Sequence, residues 1–340
     1  METKFRHFAG IDVSKHKLNV CLIVNSQRTQ MHYGCFEQSL SGYKAMKKWF
    51  AELSGKAVDS LLVLVENTGL YDDALLVWLW DRKIAVCLEN ATNIKRSVRD
   101  NRTKNDKLDS RNIALYLLQH FHELSLWQKP RDVIGQLKLL LTQRSNLVDG
   151  LKRLKALHKE WKQYQWSGVH RLGSYEAGIK GLKADIDAIE KDMWELIKSD
   201  TALLTMFTLI VSIPAVGKIT AMHFICYTNE FKTVKSGKQL SAYCGVVPFE
   251  KSSGKSVKWK PKLPHQANKV LKTLLHLCAT TAIKMKGSFA AYYRRKIEEG
   301  KHSLIAINGI RNKLALTIAA VIRTGEPYNE NYIYQHFEKP

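Results

Sequence analysis

The order of apolar segments in the first 125 residues most constrains the fold of this 340-residue chain. Three short apolar or alternating segments come first, at His7–Val13, Leu18–Val24 and Met31–Phe36. The polar stretches between them are short enough for hairpins, so we predict three antiparallel strands. Ser60–Glu66 follows and contains the uninterrupted apolar run LLVLV. Such a run is typical of a strand buried on both faces of a sheet.

Between and after these strands, apolar residues recur at the spacing of an α-helix. We predict helices at Gly42–Leu53, Asp72–Arg82 and Lys107–His122, and a fifth strand at Ile84–Leu88. The order is therefore three hairpin-linked strands, then a helix, a strand, a helix and a strand, with a closing helix. This is the order of the ribonuclease-H-like (RuvC-like) α/β fold, which we expect for a first domain over residues 1–128.

The middle of the chain changes to long helical repeats. Apolar residues keep helical spacing from Ile134 to Trp161, and from Ile179 to Leu196 they recur at alternating intervals of three and four. We predict a helical coiled-coil connector over residues 129–200 that acts as an oligomerisation arm and gives a dimer or tetramer. Two ordinary core helices are the alternative interpretation.

The composition indicates the kind of partner. Lys and Arg number 53 against 31 Asp and Glu, which gives a formal net charge of +22. Such an excess repels itself unless a polyanion binds, so nucleic acid is the expected partner. A protein that is merely basic is the alternative. With no CxxC pair, signal peptide or apolar run of membrane length, we expect a cytoplasmic, nucleoid-associated protein of prokaryotic type with no membrane partner.

Four carboxylates of the first domain are placed as a metal site requires. Asp12 lies within an apolar strand, Glu66 ends the LLVLV strand, and Asp106 and Asp109 are three residues apart on one helical face. In the predicted fold the two strands are neighbours, so the four acids converge. Converging carboxylates repel each other unless a cation lies among them, and oxygen ligands favour Mg²⁺, with Mn²⁺ as a substitute. Each acid alone would also suit a turn or a helix cap.

Basic residues surround these acids and dominate the end of the chain. Beside the acids we expect nucleic-acid contacts from Arg99, Arg102, Lys104, Lys107 and Arg111. Between Lys232 and Lys272 there are ten lysines against one acid, Glu250, which favours a phosphate-binding surface over a solvated face of mixed charge. In this stretch we expect nucleic-acid contacts from Lys251, Lys255, Lys258 and Lys260.

A helix-hairpin-helix-like element opens the third region, residues 201–340, which we expect to be a mainly helical DNA-binding domain. The segment SIPAVGKITA resembles the turn of that motif. Gly217 and Lys218 would there hold a DNA phosphate at a helix N-terminus without recognising base sequence. Ala215 replaces the usual first glycine.

A serine-rich segment, KSSGKS at residues 251–256, follows in the basic stretch. Phe249 stands where a P-loop requires glycine, and the segment is not a nucleophile elbow. It is either a flexible linker or a loop that presents a serine hydroxyl to a phosphate, with Lys255 and Lys258 neutralising the developing charge.

Taken together, the motifs resemble a known family. They are GIDVSK around Asp12, VENTGLY around Glu66, RTKNDKLDSR around Asp106 and Asp109, SIPAVGKITA, and AYCGVVPFEKSSGKS around Ser253. In this order they are similar to the DEDD-type insertion-sequence transposases. That family is related to Piv-type DNA invertases and is described as bridge-RNA-guided serine recombinases.

The resemblance implies roles for residues and partners. The four carboxylates would bind Mg²⁺, and a C-terminal serine would attack the DNA backbone to form a covalent phosphoserine intermediate. By local pattern that serine is Ser253, with Ser252 and Ser256 as alternatives. The implied partners are double-stranded DNA of element ends and target, a structured non-coding RNA, and further subunits. Downstream of the serine, WKPKLPHQANK departs from the family's glycine-containing basic turn.

We therefore expect a DNA transposase or site-specific recombinase that cuts and rejoins element ends and target DNA. A structure-selective, metal-dependent endonuclease similar to a Holliday-junction resolvase is the first alternative; it would use water and form no covalent intermediate. A non-enzymatic nucleic-acid-binding protein with a decayed catalytic fold is the second. A metal-dependent phosphatase of small substrates is the third, and it leaves the basic C-terminal region unexplained.

Overall fold

The computed structural model divides the chain into two compact units, Met1–Lys129 and Pro130–Pro340. The second unit includes both the predicted connector and the predicted C-terminal domain. The structure describes residues 4–27, 30–55, 58–67, 71–97, 105–163, 172–234, 236–247, 249–253, 257–262 and 267–330. Within these ranges it describes all side chains except those of residues 58, 106, 249–253 and 257–262.

The first unit contains a five-stranded mixed sheet. Its strands are β1 His7–Val13, β2 Lys17–Ile23, β3 Met31–Glu37, β4 Leu61–Asn67 and β5 Ala85–Asn90. They lie in the order β3-β2-β1-β4-β5; β1, β2 and β3 pair antiparallel, whereas β1, β4 and β5 are parallel. The three predicted antiparallel strands and the buried LLVLV strand are confirmed, with ends that differ by at most two residues from the prediction.

Helices cover both faces of this sheet. On one face α1 (Leu40–Leu53) and α2 (Asp72–Asp81) pack on the apolar residues of β1, β2 and β4, and a 3₁₀ turn at Val58–Ser60 precedes β4. On the other face lie α3 (Ala91–Ser97) and α4 (Asp106–His120). The helix α3 was not predicted, because seven residues are too few for an apolar period to emerge.

Gly10 determines how closely α4 approaches β1. A β-carbon at position 10 would lie 2.2 Å from the backbone nitrogen of Ala114 and 2.5 Å from the carbonyl oxygen of Ser110. Both atoms belong to the helix backbone, so a side chain would require the helix to move. The glycine therefore lets α4 lie directly on the central strand, two residues before Asp12.

The second unit is mainly helical. Two long helices open it, α5 (Asp132–Trp161) and α6 (Leu172–Lys198). The helices that follow are α7 Thr201–Val211, α8 Lys218–Tyr227, α9 Gly237–Tyr243, α10 Lys269–Ala282, α11 Ser288–Glu298 and α12 Ser303–Thr324. An antiparallel hairpin of β6 (Phe249–Ser253) and β7 (Val257–Lys262) lies between α9 and α10 in the chain.

The core of the second unit joins one end of α5 and α6 to the later helices. Leu137 of α5 and Met193 of α6 are fully buried in it. By length and composition alone, α12 could cross a membrane. In this fold, however, Ile310, Leu314 and Ile318 of that helix are fully buried in the same core.

The helices α5 and α6 form an antiparallel pair. Gly178 lies beside Leu154, and further along the pair Arg144 Nε donates a hydrogen bond to Glu190 Oε1 at 2.7 Å. Toward the end distant from the core, the apolar side chains of α5 are partly or largely exposed, and Leu157 is one of them. Both sequence interpretations therefore hold in part, with core helices at one end and an exposed helical pair at the other.

Candidate catalytic and nucleic-acid sites

The register of the central strands makes Asp12 and Glu66 neighbours. The strands β1 and β4 are parallel, and Ile11 pairs with Val65, so the next residue on each strand is the carboxylate. Both side chains are partly exposed at the carboxyl ends of their strands. The structure thus places these two acids side by side at one end of the sheet.

The first turn of α4 holds the second pair of acids. Asn105 caps this helix, and its side-chain oxygen accepts a hydrogen bond from the backbone N–H of Lys107 at 3.1 Å. The helix therefore begins at Asp106, whose side chain lies outside the described part of the structure. Asp109 is partly exposed, and its charge acts on Glu66.

The pKa of Glu66 responds to the charges of the neighbouring acids. Burial raises the pKa of Glu66 because it disfavours the charged form, and Lys95 opposes that rise. The negative charges of Asp12, Asp109 and Asp72 raise the pKa further. Three negative charges therefore act on Glu66 at this end of the sheet, and a divalent cation would relieve that repulsion.

A metal ion fits the chemistry of this donor set. Among the described side chains, no three His, Cys, Asp or Glu residues lie as close together as metal ligands do. The side chain of Asp106 is not part of that set. The fit rests on the mutual repulsion at Glu66 and on the oxygen donors, which suit Mg²⁺. The residues that would hold the ion are Asp12, Glu66 and Asp109, with Asp106 expected from the sequence.

Two acids near this site were not singled out from the sequence. Asp72, at the start of α2, is 1 % exposed. Glu89 pairs with Glu66 in the strand register, and its Oε1 accepts hydrogen bonds from Asn90 N at 2.7 Å and Asn93 Nδ2 at 2.8 Å. Glu89 could have been found only from the register of β4 and β5. Asp72 gave no signal beyond an acid in the first turn of a helix.

A basic and aromatic surface lies beside the carboxylates. Two of the predicted contacts, Lys107 and Arg111, are exposed on α4. The Lys107 ammonium lies 4.4 Å from the centre of the Tyr33 ring, and Arg111 opposes the rise that burial gives the pKa of that phenol. An aromatic ring with two cations suits a nucleic-acid strand. The other three predicted contacts lie outside the described residues: Arg99, Arg102 and Lys104.

The turn between α7 and α8 shows why glycine is usual at position 215 of the helix-hairpin-helix-like element. Ala215 has a φ of +67°, the left-handed region that favours glycine. Gly217 precedes α8 in an extended conformation and, as a glycine, offers that helix no side-chain cap. The Lys218 ammonium lies 5.4 Å from the ring centre of Trp194.

The serine segment lies on the β6–β7 hairpin. Ser253 is the last residue of β6 and pairs with Val257, while Ser252 pairs with Lys258. The predicted loop is therefore a hairpin whose strands end at residue 253 and resume at residue 257. Lys255 and Ser256 lie outside the described residues, as do the side chains of Lys251, Lys258, Lys260 and both strand serines.

Comparison with known proteins finds transposase families along both units. Residues 9–160 match the IS110-type DEDD family model described as "Transposase". Residues 208–294 match the model described as "Transposase IS116/IS110/IS902 family".

Individual relatives are distant, and two of them match most of the chain. The pilin gene-inverting protein of Moraxella bovis is 24% identical over 326 residues, which cover 95% of this chain and 98% of that protein. The protein of the same name from Moraxella lacunata gives the same values. An uncharacterized 43.6 kDa protein of insertion element IS110 from Streptomyces coelicolor is 24% identical over 163 residues, or 47% of this chain and 40% of that protein.

Proposed function

We propose that this chain, an IS110-family transposase by both family matches, cuts and rejoins DNA with a metal-binding carboxylate site and a serine nucleophile. The observation that carries the proposal is the register of β1 and β4, which sets Asp12 beside Glu66 while the charge of Asp109 acts on Glu66, in a protein of net charge +22. The strand order β3-β2-β1-β4-β5 with α4 across it supports a ribonuclease-H-like, RuvC-like assignment. The gene-inverting activity in the name of the Moraxella relatives supports recombination as the reaction class.

The chain's own residues position the reacting groups of the first unit. Bound Mg²⁺ would supply activation of an attacking oxygen and stabilisation of a leaving oxygen at a phosphodiester. The register of β1 and β4 fixes Asp12 beside Glu66, and the close approach of α4 at Gly10 brings Asp109 to them. Lys107 and Arg111, beside Tyr33, would hold the DNA backbone next to this site.

The serine of the second unit would carry the covalent step. As the bond from Ser253 Oγ to phosphorus forms, the bond from phosphorus to one DNA oxygen breaks. The serine hydroxyl gives up its proton and the leaving oxygen takes one up, so each cut yields a phosphoserine ester and a free hydroxyl end. Attack by that hydroxyl, or by one from another strand, reverses the step and rejoins DNA. Lys251, Lys255, Lys258 and Lys260 would neutralise phosphate charge around the hairpin.

The proposed partners are double-stranded DNA, a structured non-coding bridge RNA and further copies of the chain. An RNA that pairs with DNA would supply sequence recognition, which leaves phosphate contacts to the protein. Lys218 beside Trp194, at the N-terminus of α8, supports a backbone contact of that kind. Leu157 and Trp161, exposed at the far end of α5, support self-association through the helical pair.

Strand cleavage tests the carboxylate part of the proposal. Wild type, Glu66→Gln and Asp109→Asn are incubated with Mg²⁺, the flanking non-coding RNA and labelled cognate DNA. We expect both variants to lose roughly a hundredfold or more in cleavage rate while they still bind DNA. Glu52→Gln is the matched control, because Glu52 is an exposed acid of the same unit that pairs with Lys48 at 3.9 Å. Cleavage retained by Glu66→Gln and Asp109→Asn would remove these acids from the site.

A further inference from the structure

Arg311 on α12 differs from two other partly buried arginines of the second unit. Arg131 and Arg144 donate hydrogen bonds to carboxylates at 2.6 and 2.7 Å. Arg311 has no ion pair among the described residues, and its buried Nε atom finds no hydrogen-bond acceptor there. It is therefore a partly buried cation with no compensating anion in the described part of the chain.

Leaving a guanidinium in this condition costs folding free energy. Burial lowers the pKa of Arg311, because the charged form loses solvation and no carboxylate among the described side chains restores it. Buried donors in native proteins almost always find a partner, and an exception demands an explanation. An anion supplied by a bound ligand is one such explanation, and this chain of net charge +22 acts on a polyanion.

Other polar side chains of α12 and α9 also have atoms without partners among the described residues. Asn308 and Asn312 lie on either side of it on α12, and Ser241 on α9 is fully buried. Asn308 Oδ1, Asn312 Oδ1 and Ser241 Oγ are buried with no hydrogen-bond partner among the described residues. Together with Arg311 we name these residues the α12 polar group. Several unpartnered buried polar atoms on neighbouring elements indicate a site for a polar ligand and its ordered water.

Val246 connects the α12 polar group to the serine hairpin. Its N–H donates a hydrogen bond to the carbonyl of Ser241 at 3.1 Å, and its carbonyl accepts one from Asn308 Nδ2 at 2.9 Å. The strand β6 begins three residues later, at Phe249. Arg311 is one helical turn from Asn308, so it lies near Val246, which precedes the hairpin that carries Ser253.

We propose that Arg311 binds a phosphate of the DNA backbone at the base of the β6–β7 hairpin. The inference rests on the proposed function, because the phosphate belongs to the DNA that the hairpin cuts. A guanidinium matches a phosphate with two parallel hydrogen bonds, and the bound anion compensates its buried charge. The oxygens of Asn308 and Asn312 accept hydrogen bonds from water bound with the phosphate. Arg311 is thus a positioning residue that holds the DNA strand in register with Ser253.

Salt-dependent DNA binding tests this assignment. The dissociation constant of labelled cognate duplex is measured over a range of salt for wild type, Arg311→Gln, Arg311→Lys and Arg323→Gln. We expect Arg311→Gln to bind the duplex roughly tenfold more weakly. The slope of log affinity against log salt concentration (the salt slope) should also become smaller in magnitude by about one. Arg311→Lys keeps the slope and loses part of the affinity. Arg323, exposed on the same helix, is the matched control and stays at the wild-type values.

Thermal unfolding without DNA separates a ligand-binding role from a structural one. Removing an uncompensated buried cation does not weaken the fold, so the Tm of Arg311→Gln equals or exceeds that of wild type. A Tm lowered by several degrees with an unchanged salt slope would overturn the inference. Weaker binding of the non-coding RNA with unchanged binding of duplex DNA would also overturn it. A wild-type protein that binds no DNA would instead contradict the proposed function.

Discussion

The proposed carboxylate site and the proposed serine site stand on different kinds of scaffold. The acids of the first unit lie on β1, β4 and α4, most of whose apolar side chains belong to buried core. The serine of the second unit lies on a two-stranded hairpin that Val246 ties to α9 and α12. The difference follows from the chemistry of each site. Repelling charges need rigid elements to hold them together, whereas a single nucleophile has to reach a phosphate.

Gly10→Ala is the strongest test of the rigid scaffold. A methyl group there would meet the α4 backbone, so we expect the helix to shift and the first unit to lose about 3 kcal/mol of stability. The shift also moves Asp109 from Asp12, so cleavage is lost as well. Thermal unfolding and the cleavage assay measure both effects.

Gly181→Ala serves as the control for that change. Gly181 lies within α6, and no atom lies within 4 Å of the position of its β-carbon. Alanine there should be neutral or slightly stabilising, because it is the better helix former. A Gly10→Ala protein with wild-type stability and activity would contradict the account of how α4 is seated.

Arg131→Gln tests the anchoring of the second unit. Arg131 binds Asp200 at the start of α7 and Glu230 after α8. Breaking a buried ion pair costs roughly 3–5 kcal/mol, and we expect about 2 kcal/mol here because Arg131 is 39% exposed. Arg295→Gln, at an exposed i,i+4 pair with Glu299, is the control and should change stability little.

The stabilisation that Arg131 contributes should depend on pH. Hydrogen bonds from Arg131 lower the pKa of Asp200; burial alone would raise that of Glu230, but Arg131 and Lys232 hold it below its usual value. Carboxyls with lowered pKa values stabilise the fold above their unfolded pKa of about 4 and lose that contribution as the pH falls. The Tm difference between wild type and Arg131→Gln should therefore shrink below about pH 4. A constant difference down to pH 2 would contradict this assignment.

Mg²⁺ titration compares the two sites without catalysis. A free Mg²⁺ concentration of about ten times the dissociation constant should raise the free energy of unfolding of the wild type by about 1.4 kcal/mol. Glu66→Gln should raise the Tm without metal, because it removes one of the repelling charges, and should lose most of the Mg²⁺ effect. Ser253→Ala should keep the full effect. Equal Mg²⁺ stabilisation of wild type and Glu66→Gln would place the metal elsewhere.

Ala215→Gly should have the smallest effect. The alanine adopts a left-handed conformation that costs an L-residue roughly 1 kcal/mol. Glycine removes this cost but adds flexibility to the unfolded chain, so a net gain of about 0.5 kcal/mol is expected from thermal unfolding. A loss of stability would mean that the methyl group of Ala215 contributes packing that outweighs the strain.

Much of the first unit could be predicted from sequence, because its strands are short and separated by clear turns. The apolar run before Glu66 and the hairpin spacing after Asp12 gave the strands within two residues. Glu89 was missed because its alignment with Glu66 depends on strand register, which no local pattern encodes. The sequence of the α5–α6 pair fits two interpretations, because the same apolar period occurs in a core helix and in a coiled coil.

The second unit was harder, because its informative features are contacts between distant parts of the chain. Arg131 meets acids that lie 69 and 99 residues away in sequence. Arg311 is notable only for the carboxylate that it lacks among the described residues, and a missing partner has no sequence signature.

Covalent capture of DNA tests the central claim most directly. Wild type, Ser253→Ala and Ser252→Ala are incubated with Mg²⁺, non-coding RNA and labelled cognate DNA, then run on a denaturing gel. We expect the label to travel with wild type and Ser252→Ala, and to be absent from Ser253→Ala. Nicked DNA that carries no protein, equally abundant with all three proteins, would contradict the serine mechanism and indicate a nuclease that uses water.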